Sequence, residues 1–482
     1  MPVSNAYHAD PRHILLGDAF YDAVDPAEFP QAILRFRNDR WAARVGLETL
    51  TDDEWVRHFA RFEPLPGNLP RPLALRYHGH QFRSYNPDLG DGRGFLFAQM
   101  RDAVDGRLLD LATKGSGKTP WSRTADGRLT LKGGVREILA TEMLETQGVY
   151  TSKSFSLIET GEALVRHDEP SPTRSSVLVR LSHGHVRIGT FQRLAVQEQN
   201  DDLRRLVDYC IEQYWPEAEA AGDPVAAFFG LAVEAIARMG ADWWVAGFVH
   251  GVLNTDNTTI TGESFDYGPW RFLPTLDPAF TAAYFDHSGL YAFGRQASAL
   301  FWNCQRLADC LLELSSEAAL VAELERFQPA FWARIEARTH AKLGLVPGDD
   351  ARDLAQGFYE ALHKSQVPYE RAFYDLIGGA SADRIAASPC RDAYGGEGWA
   401  SALARLREAA PAPAAAQVLA HPYFAAGAPC TLVIEDMEAT WAPIAESDDW
   451  SALGRKIADI RTAGAALAPL YEPALAGFLS SD

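Results

Sequence analysis

Cysteine is scarce in this chain. Its 482 residues hold five, Cys210, Cys304, Cys310, Cys390 and Cys430, widely spaced and without a Cys-x-x-Cys. An odd, scattered set argues against a disulfide framework and against a thiolate zinc site. It fits reduced thiols in a cytosol, so the expected location is cytoplasmic. Basic charge is also in deficit: 45 Lys and Arg stand against 64 Asp and Glu, a formal net charge of −19. Nucleic acids and anionic membrane surfaces both reward basic patches, so neither is an expected partner. No run of about 20 uninterrupted apolar residues is present, which argues against a membrane span. The start, Met-Pro-Val-Ser-Asn-Ala-Tyr-His, lacks the basic-then-apolar order of a secretory signal.

What is present is ordinary globular composition, 47% apolar and 23% charged. The length suffices for about two to four structural units. Residues 1–88 read as a partly helical N-terminal segment. Thr51-Asp-Asp-Glu54 is a capping box, and Pro64, Pro66, Pro70 and Pro72 mark a boundary. Residues 89–193 read as strand-rich: 95–100 and 108–113 flank an Asp105-Gly106 turn, and 154–158, 176–181 and 185–191 are further strands. One helix interrupts them from Gly133 to Gly148, with Val135, Ile138, Leu139, Met143 and Leu144 at helical spacing. From 194 to 348 the pattern is helical, most clearly from Asp223 to Met239. Residues 349–482 form an alanine-rich, helical extension, with a linker candidate at Pro411 and Pro413.

One stretch carries the most chemistry. His250-Gly-Val-Leu-Asn-Thr-Asp256-Asn257 is followed nine residues later by Asp266-Tyr-Gly268. Kinase-type phosphotransferases place an Asp two residues after a His, an Asn five residues later, and then an Asp-x-Gly. Asn257 and Asp266 fit the pair that holds a metal. Val252 stands where the base belongs, and valine accepts no proton. The site therefore lacks the usual phosphoryl-transfer base, and the chain either is inert or performs different chemistry.

Other motifs agree with a two-lobed arrangement. Gly90-Asp-Gly92-Arg93-Gly94 is a glycine-rich turn before a strand, where backbone amides could approach phosphate; a plain hairpin loop reads equally well. Lys114-Gly-Ser-Gly-Lys-Thr119 matches a loose P-loop, but Pro120 and the Asp126-Gly127 turn replace the helix that motif requires. Lys114 is better read as a lysine at a strand end, positioned to pair with Glu137 in the first turns of the next helix. Arg180 and Arg187 are expected to close on one phosphate from two arms of a strand-turn-strand. Solvated arginines and Asx turns are the plain alternatives for these residues.

In combination, the chain resembles the selenoprotein O family of kinase-like protein adenylyltransferases. The matching blocks are Tyr77-His-Gly79-His80-Gln81-Phe82, Leu89-Gly-Asp-Gly-Arg93-Gly94, Lys114 to Pro120, Ser122-Arg123, Asp126-Gly-Arg128 and Arg136-Glu137. They continue in order through Ser182-His183, His185-Val-Arg187-Ile-Gly189, His250 to Asn257 and Asp266-Tyr-Gly-Pro269. The resemblance implies an α+β, protein-kinase-like two-lobed fold with N-terminal and C-terminal helical extensions. It implies that ATP binds in a flipped orientation and that AMP passes to Ser, Thr or Tyr hydroxyls of proteins, with the chain itself among the candidate acceptors. It implies that Gly90, Gly92, Arg93, Lys114, Asp126, Gly127, Arg180, Arg187 and Asp266 contact the nucleotide, and that Glu137 orients Lys114. It further implies that Asn257 and Asp266 hold Mg²⁺ or Mn²⁺, and that Asp256 is the base.

The chain departs from the family pattern at Arg83, where Gly is usual, at Lys132-Gly-Gly134, and at Trp270-Arg271. Its last third resembles the family least. Two alternatives stand beside adenylyl transfer at this stage: a non-catalytic ATP-binding regulator, and a kinase-type phosphotransferase with a displaced base.

Overall fold

The computed structural model of the chain describes residues 3–167 and 169–479, with side chains to Tyr471. It joins one large antiparallel sheet to a mainly helical remainder, a mixed α and β architecture. In spatial order the sheet runs Tyr21–Ala23, Leu73–Leu75, Leu96–Arg101, Leu108–Lys114, Thr173–Ser182, Lys153–Leu164, Ile33–Arg37, with Leu129–Thr130 paired to Thr173–Ser182 beside this path. Three of these strands precede residue 89, so the N-terminal segment is woven into the same sheet as the strands after it.

Period-two alternation sorts the sheet's side chains onto two faces. Val177 and Val179 pack with Trp55, Phe59 and Phe155, beneath the helix Asp52–Phe59. Leu178 and Leu157 turn the other way, onto Val135, Ile138 and Leu139 of the helix Leu131–Thr146. The capping box at Thr51 and Glu54 forms, and so does the hairpin through Gly106, at φ +75°.

The helix Leu131–Thr146 starts two residues before the expected Gly133 because Thr130 caps it, its hydroxyl accepting from the Gly133 N–H at 3.1 Å. Gly134 lets this helix lie close on the sheet: a Cβ there would strike Leu157 and stand 3.0 Å from Ser176 Oγ. The Lys132-Gly-Gly134 departure thus has a packing cause.

Two expectations are corrected. Residues 185–191 are not a strand: a helix, Ile188–Val196, begins after Arg187. Ile188, Phe191 and Leu194 are all buried, a helical spacing that outweighs the short Val186/Ile188 alternation. The segment around Pro411 and Pro413 is no free linker: Val346 N–H donates to the Ala410 carbonyl and Ala412 N–H to the Gly344 carbonyl, both at 2.8 Å.

The helical part is centred on Pro224–Ala246, capped by the Asp223 side chain and ended by Gly247 in the left-handed region. By length and composition this helix could cross a membrane, but 72% of its most apolar window is buried inside the protein. Its Asp242 is fully buried and paired with Arg334 at 2.8 Å and Arg338 at 3.1 Å. After Gly247, two short strands, Phe248–Val249 and Arg271–Phe272, pair antiparallel. They clamp the ends of a loop, residues 250–270, that holds both Asp256 and Asp266. The final helix, Ser451–Leu479, lies against Leu131–Thr146; residues 480–482 of the extension expected to be helical lie outside the described residues.

Candidate active site

Lys114 is the last residue of its strand, and the sheet register puts it opposite Leu178. Its side chain is buried and bonds to Glu137 Oε1 on the helix behind. The same Nζ lies 2.8 Å from Asp266 Oδ1, and Arg180 Nη1 is 3.2 Å from that oxygen. Asp266 sits in the left-handed region at φ +61°, which aspartate adopts more readily than most residues other than glycine. Burial raises its carboxyl pKa, but Lys114, Arg180, Arg93 and Arg187 outweigh that and hold it well below the usual carboxylate range.

Arg180 and Arg187 do converge, though not as two arms of a hairpin. Arg180 lies two residues before the end of the strand Thr173–Ser182, and Arg187 is the residue just before the helix Ile188–Val196. Their guanidiniums lie 5.3 and 5.0 Å from the Phe265 ring centroid. Arg187 also stacks on Tyr77 at 4.3 Å and pairs with Asp91 at 3.3 Å. The Nε atoms of both arginines are buried without a hydrogen-bond partner. Buried donors normally have acceptors, so these two point to an anionic ligand.

Asp256 and Asn257 close a single 3-10 turn, Thr255–Asn257. Asp256 is 8% exposed, and its Oδ1 has no hydrogen-bond partner. Burial pushes its carboxyl up to about 6, against the pull of Arg187 and with a further push from Asp266. Asn257 Nδ2 donates to the Val252 carbonyl at 3.1 Å, which leaves its oxygen as the ligating end. Val252 therefore holds the loop through its backbone, where a side-chain base is absent.

His250 ties the two motifs together. Its Nε2 donates to the Phe265 carbonyl at 2.9 Å, and its own N–H donates to Gln296 Oε1 at 3.0 Å. Burial lowers its pKa, which keeps the ring neutral.

The glycine-rich turn is glycine for a reason other than positive φ. A Cβ on Gly90 would strike the Trp121 ring, one on Gly92 the Trp121 carbonyl at 2.8 Å, and one on Gly94 the Thr113 carbonyl. Close approach is the constraint. No helix follows Lys118-Thr119, so a P-loop does not form. Gly127, at φ +70°, packs against Gly117, and the Gly117 N–H donates to the Gly127 carbonyl at 3.1 Å. Asp126 is exposed and pairs with Arg166 at 2.7 Å. Arg166, Arg128, Arg93, Lys114, Arg136 and Arg271 line a cleft of about 470 Å³, within the range of small-molecule sites.

Several contributors carry no local sequence signal of a role. Asp91 and Tyr77 hold Arg187, Phe265 lies beside both arginines, and Arg136 donates to the carbonyls of Gly268 (3.1 Å) and Trp270 (3.2 Å). Tyr77, Asp91 and Arg136 fall within the resembling blocks, which was the available hint.

Among the described residues, no cluster of three or more His, Cys, Asp or Glu side chains could hold a metal. The Asn257 oxygen and the ionised Asp266 are hard oxygen donors. Such a sparse set suits Mg²⁺ or Mn²⁺, which would keep phosphate oxygens and water as remaining ligands. Because Lys114 and Arg180 engage Oδ1 of Asp266, Oδ2 would be the oxygen free to ligate an ion.

Buried cations facing two carboxylates, one of them raised in pKa by burial, suit a phosphate-bearing ligand with a proton acceptor beside it. Comparison with known proteins specifies the class further. The family model described as protein adenylyltransferase SelO matches residues 3–461. The chain is 47% identical over 365 residues to protein nucleotidyltransferase YdiU of Trichormus variabilis, covering 75% of this chain and 74% of that protein. It is 43% identical over 460 residues to the protein of the same name from Gloeobacter violaceus, covering 92% of each. A third, from Synechocystis, is 49% identical over 336 residues, or 68% of this chain and 69% of that protein. The chain belongs to the SelO family of protein adenylyltransferases.

Proposed function

We propose that this chain transfers AMP from ATP to Ser, Thr or Tyr hydroxyls of proteins, on a kinase-like two-lobed scaffold, with Asp256 as base. The observation that carries this reading is a buried Asp256 oxygen without a hydrogen-bond partner beside the cluster of Lys114, Arg180 and Arg187, with valine at position 252. A phosphoryl-transfer base is absent, and a different carboxylate is poised beside the metal-binding asparagine.

In this reading the triphosphate is held by Lys114, Arg180, Arg187 and Arg93, with the backbone of Gly90 and Gly92 close against it. The Asp126-Gly127 turn and the cleft beyond Arg128 take the nucleoside, so the nucleotide lies flipped relative to a kinase. Glu137 fixes the Lys114 ammonium in place. Asn257 and Asp266 would hold Mg²⁺ or Mn²⁺, which when bound neutralises charge on the phosphates. The acceptor oxygen attacks the α-phosphorus, its proton passes to Asp256, and the bond to the β-phosphate oxygen breaks to release pyrophosphate. A carboxyl held near 6 is ionised at neutral pH yet basic enough to take that proton. The arginines and Lys114 stabilise charge that builds on the α-phosphate, and being preorganised they need no rearrangement to do so. The five cysteines are free, which supports a reducing, cytoplasmic setting.

Parallel incubations with ATP labelled at the α- or the γ-phosphate test the reading. Label on protein from the α-position, lost in Asp266→Ala, is expected. Label from the γ-position alone would overturn it.

A further inference from the structure

Between the short strands Gly79–Gln81 and Ser84–Asn86 stands a two-residue turn, Phe82-Arg83. Both residues have positive φ, +49° and +65°. Such a turn favours Asn-Gly, and a phenylalanine and an arginine hold it only under strain. The surroundings enforce it. The Phe82 N–H donates to Asn254 Oδ1 at 3.1 Å, and the His80 N–H to Thr255 Oγ1 at 2.7 Å. The hairpin is thus bonded to the two residues that precede Asp256. Gly79 presses on Asp256 itself: a Cβ there would lie 3.1 Å from Asp256 Oδ1.

The strained tip puts an aromatic ring in solvent next to the base. Phe82 is 36% exposed, and its ring lies 5.0 Å from Tyr291 and 6.0 Å from Phe285. Phe285 is 43% and Tyr284 78% exposed, with their rings 5.1 Å apart. Of the four exposed large aromatic residues among the described residues, these are three; Trp332 is the fourth. Tyr291 anchors the group, its hydroxyl donating to Asn254 Oδ1 at 2.8 Å. Arg83, exposed on the same tip, stacks on Trp302 at 5.5 Å and has no carboxylate in ion-pair range among the described residues. An exposed aromatic cluster with a cation at its edge has the composition enriched in protein-docking surfaces.

We propose that Phe82, Tyr284 and Phe285 form the acceptor-docking lip of the transfer site, seating an apolar side chain of the acceptor protein beside the modified hydroxyl, while Arg83 takes a carboxylate from the same segment. The preferred acceptor is therefore an extended segment with apolar and acidic residues around its Ser, Thr or Tyr. This rests on the adenylyl-transfer reading above and names its substrate class. The lip selects by burying apolar area and by pairing one charge, both within reach of Asp256.

The test uses the full chain, α-labelled ATP, and four synthetic peptides with a single Tyr flanked on both sides by Phe-Glu, Ala-Glu, Phe-Lys or Ala-Lys. Transfer to the Phe-Glu peptide should exceed that to Ala-Lys by about tenfold or more in kcat/KM. Phe82→Ala should raise KM for the Phe-Glu peptide, with ATP affinity and Tm unchanged, and Phe82→Leu should restore much of the preference. Arg83→Glu should invert the choice between Glu and Lys. Equal use of the four peptides, or a preference that survives both Phe82→Ala and Arg83→Glu, overturns the lip. Labelling of proteins without labelling of any peptide also overturns it as a sequence-reading surface. No label on peptide or protein overturns the transfer reading beneath it.

Discussion

At the scale of single residues, the proposed reaction divides the work: Lys114 would hold the nucleotide and Asp256 would take the proton. Lys114→Ala leaves Glu137 buried without its cation and removes a contact to Asp266. ATP affinity measured by calorimetry should collapse. Asp256→Ala removes only the acceptor of the proton, so affinity should hold while turnover falls by ~10²–10⁴-fold. Lost ATP binding in Asp256→Ala would contradict its role as base.

A second residue-scale prediction concerns Glu263, 4% exposed and accepting from the His183 N–H at 2.7 Å. Burial pushes its carboxyl up to about 7, against the pull of Lys153. The folded state then holds the proton more tightly than the unfolded one, so stability is lost as pH rises from about 4.5 to about 7. Glu263→Gln should match the parent near pH 4 and exceed it by about 3 kcal/mol at pH 8, read by urea denaturation at each pH. A difference independent of pH would contradict this.

Much of the site was legible at this scale. His250, Asn257 and Asp266 announce themselves by spacing, and Lys114 with Glu137 by a strand end followed by a helix start. Asp91 and Tyr77 do not, because Arg187 reaches them across the fold and no local pattern encodes that contact. Residue type was legible at Gly90, Gly92 and Gly94, but its cause, the nearby Trp121 and Thr113, is tertiary.

At the scale of elements, the distance between one helix and the sheet controls the Lys114–Glu137 pair. Gly134 sets that distance. Gly134→Val should push Leu131–Thr146 away from Leu157 and Ser176, at a cost of about 1–3 kcal/mol. It should also weaken ATP binding, although residue 134 itself does not enter the proposed nucleotide contacts. Unchanged affinity with lowered Tm would separate packing from function here. The sequence showed this helix through its apolar spacing. It misplaced 185–191 because Val186 and Ile188 imitate strand alternation where the helical run Ile188–Val196 begins.

At the scale of the whole molecule, the last helix braces Leu131–Thr146, the helix that carries Glu137. Arg461 forms a two-pronged pair with Glu142 at 2.7 and 2.8 Å, and the Thr146 hydroxyl donates to the Ile460 carbonyl at 3.0 Å. Gly464 lies so close that a Cβ would stand 2.8 Å from Thr146 Oγ1. Gly464→Leu should therefore lower Tm and, through the Glu137 helix, lower ATP affinity as well. A Tm change with intact affinity would show that the two ends act independently. None of this contact was legible in the sequence. The last third carries few motifs, and an alanine-rich helix does not name the surface it covers. The weaving of three early strands into the sheet was hidden for a similar reason: strands of three to five residues carry little periodicity.

The most direct test of the central claim is intact-protein mass spectrometry of acceptor proteins and of the chain itself, after incubation with ATP and Mg²⁺ or Mn²⁺. A gain of one adenylyl group is expected, absent in Asp266→Ala and strongly reduced in Asp256→Ala. A gain of one phosphoryl group, or an adenylyl gain undiminished in Asp256→Ala, would contradict it.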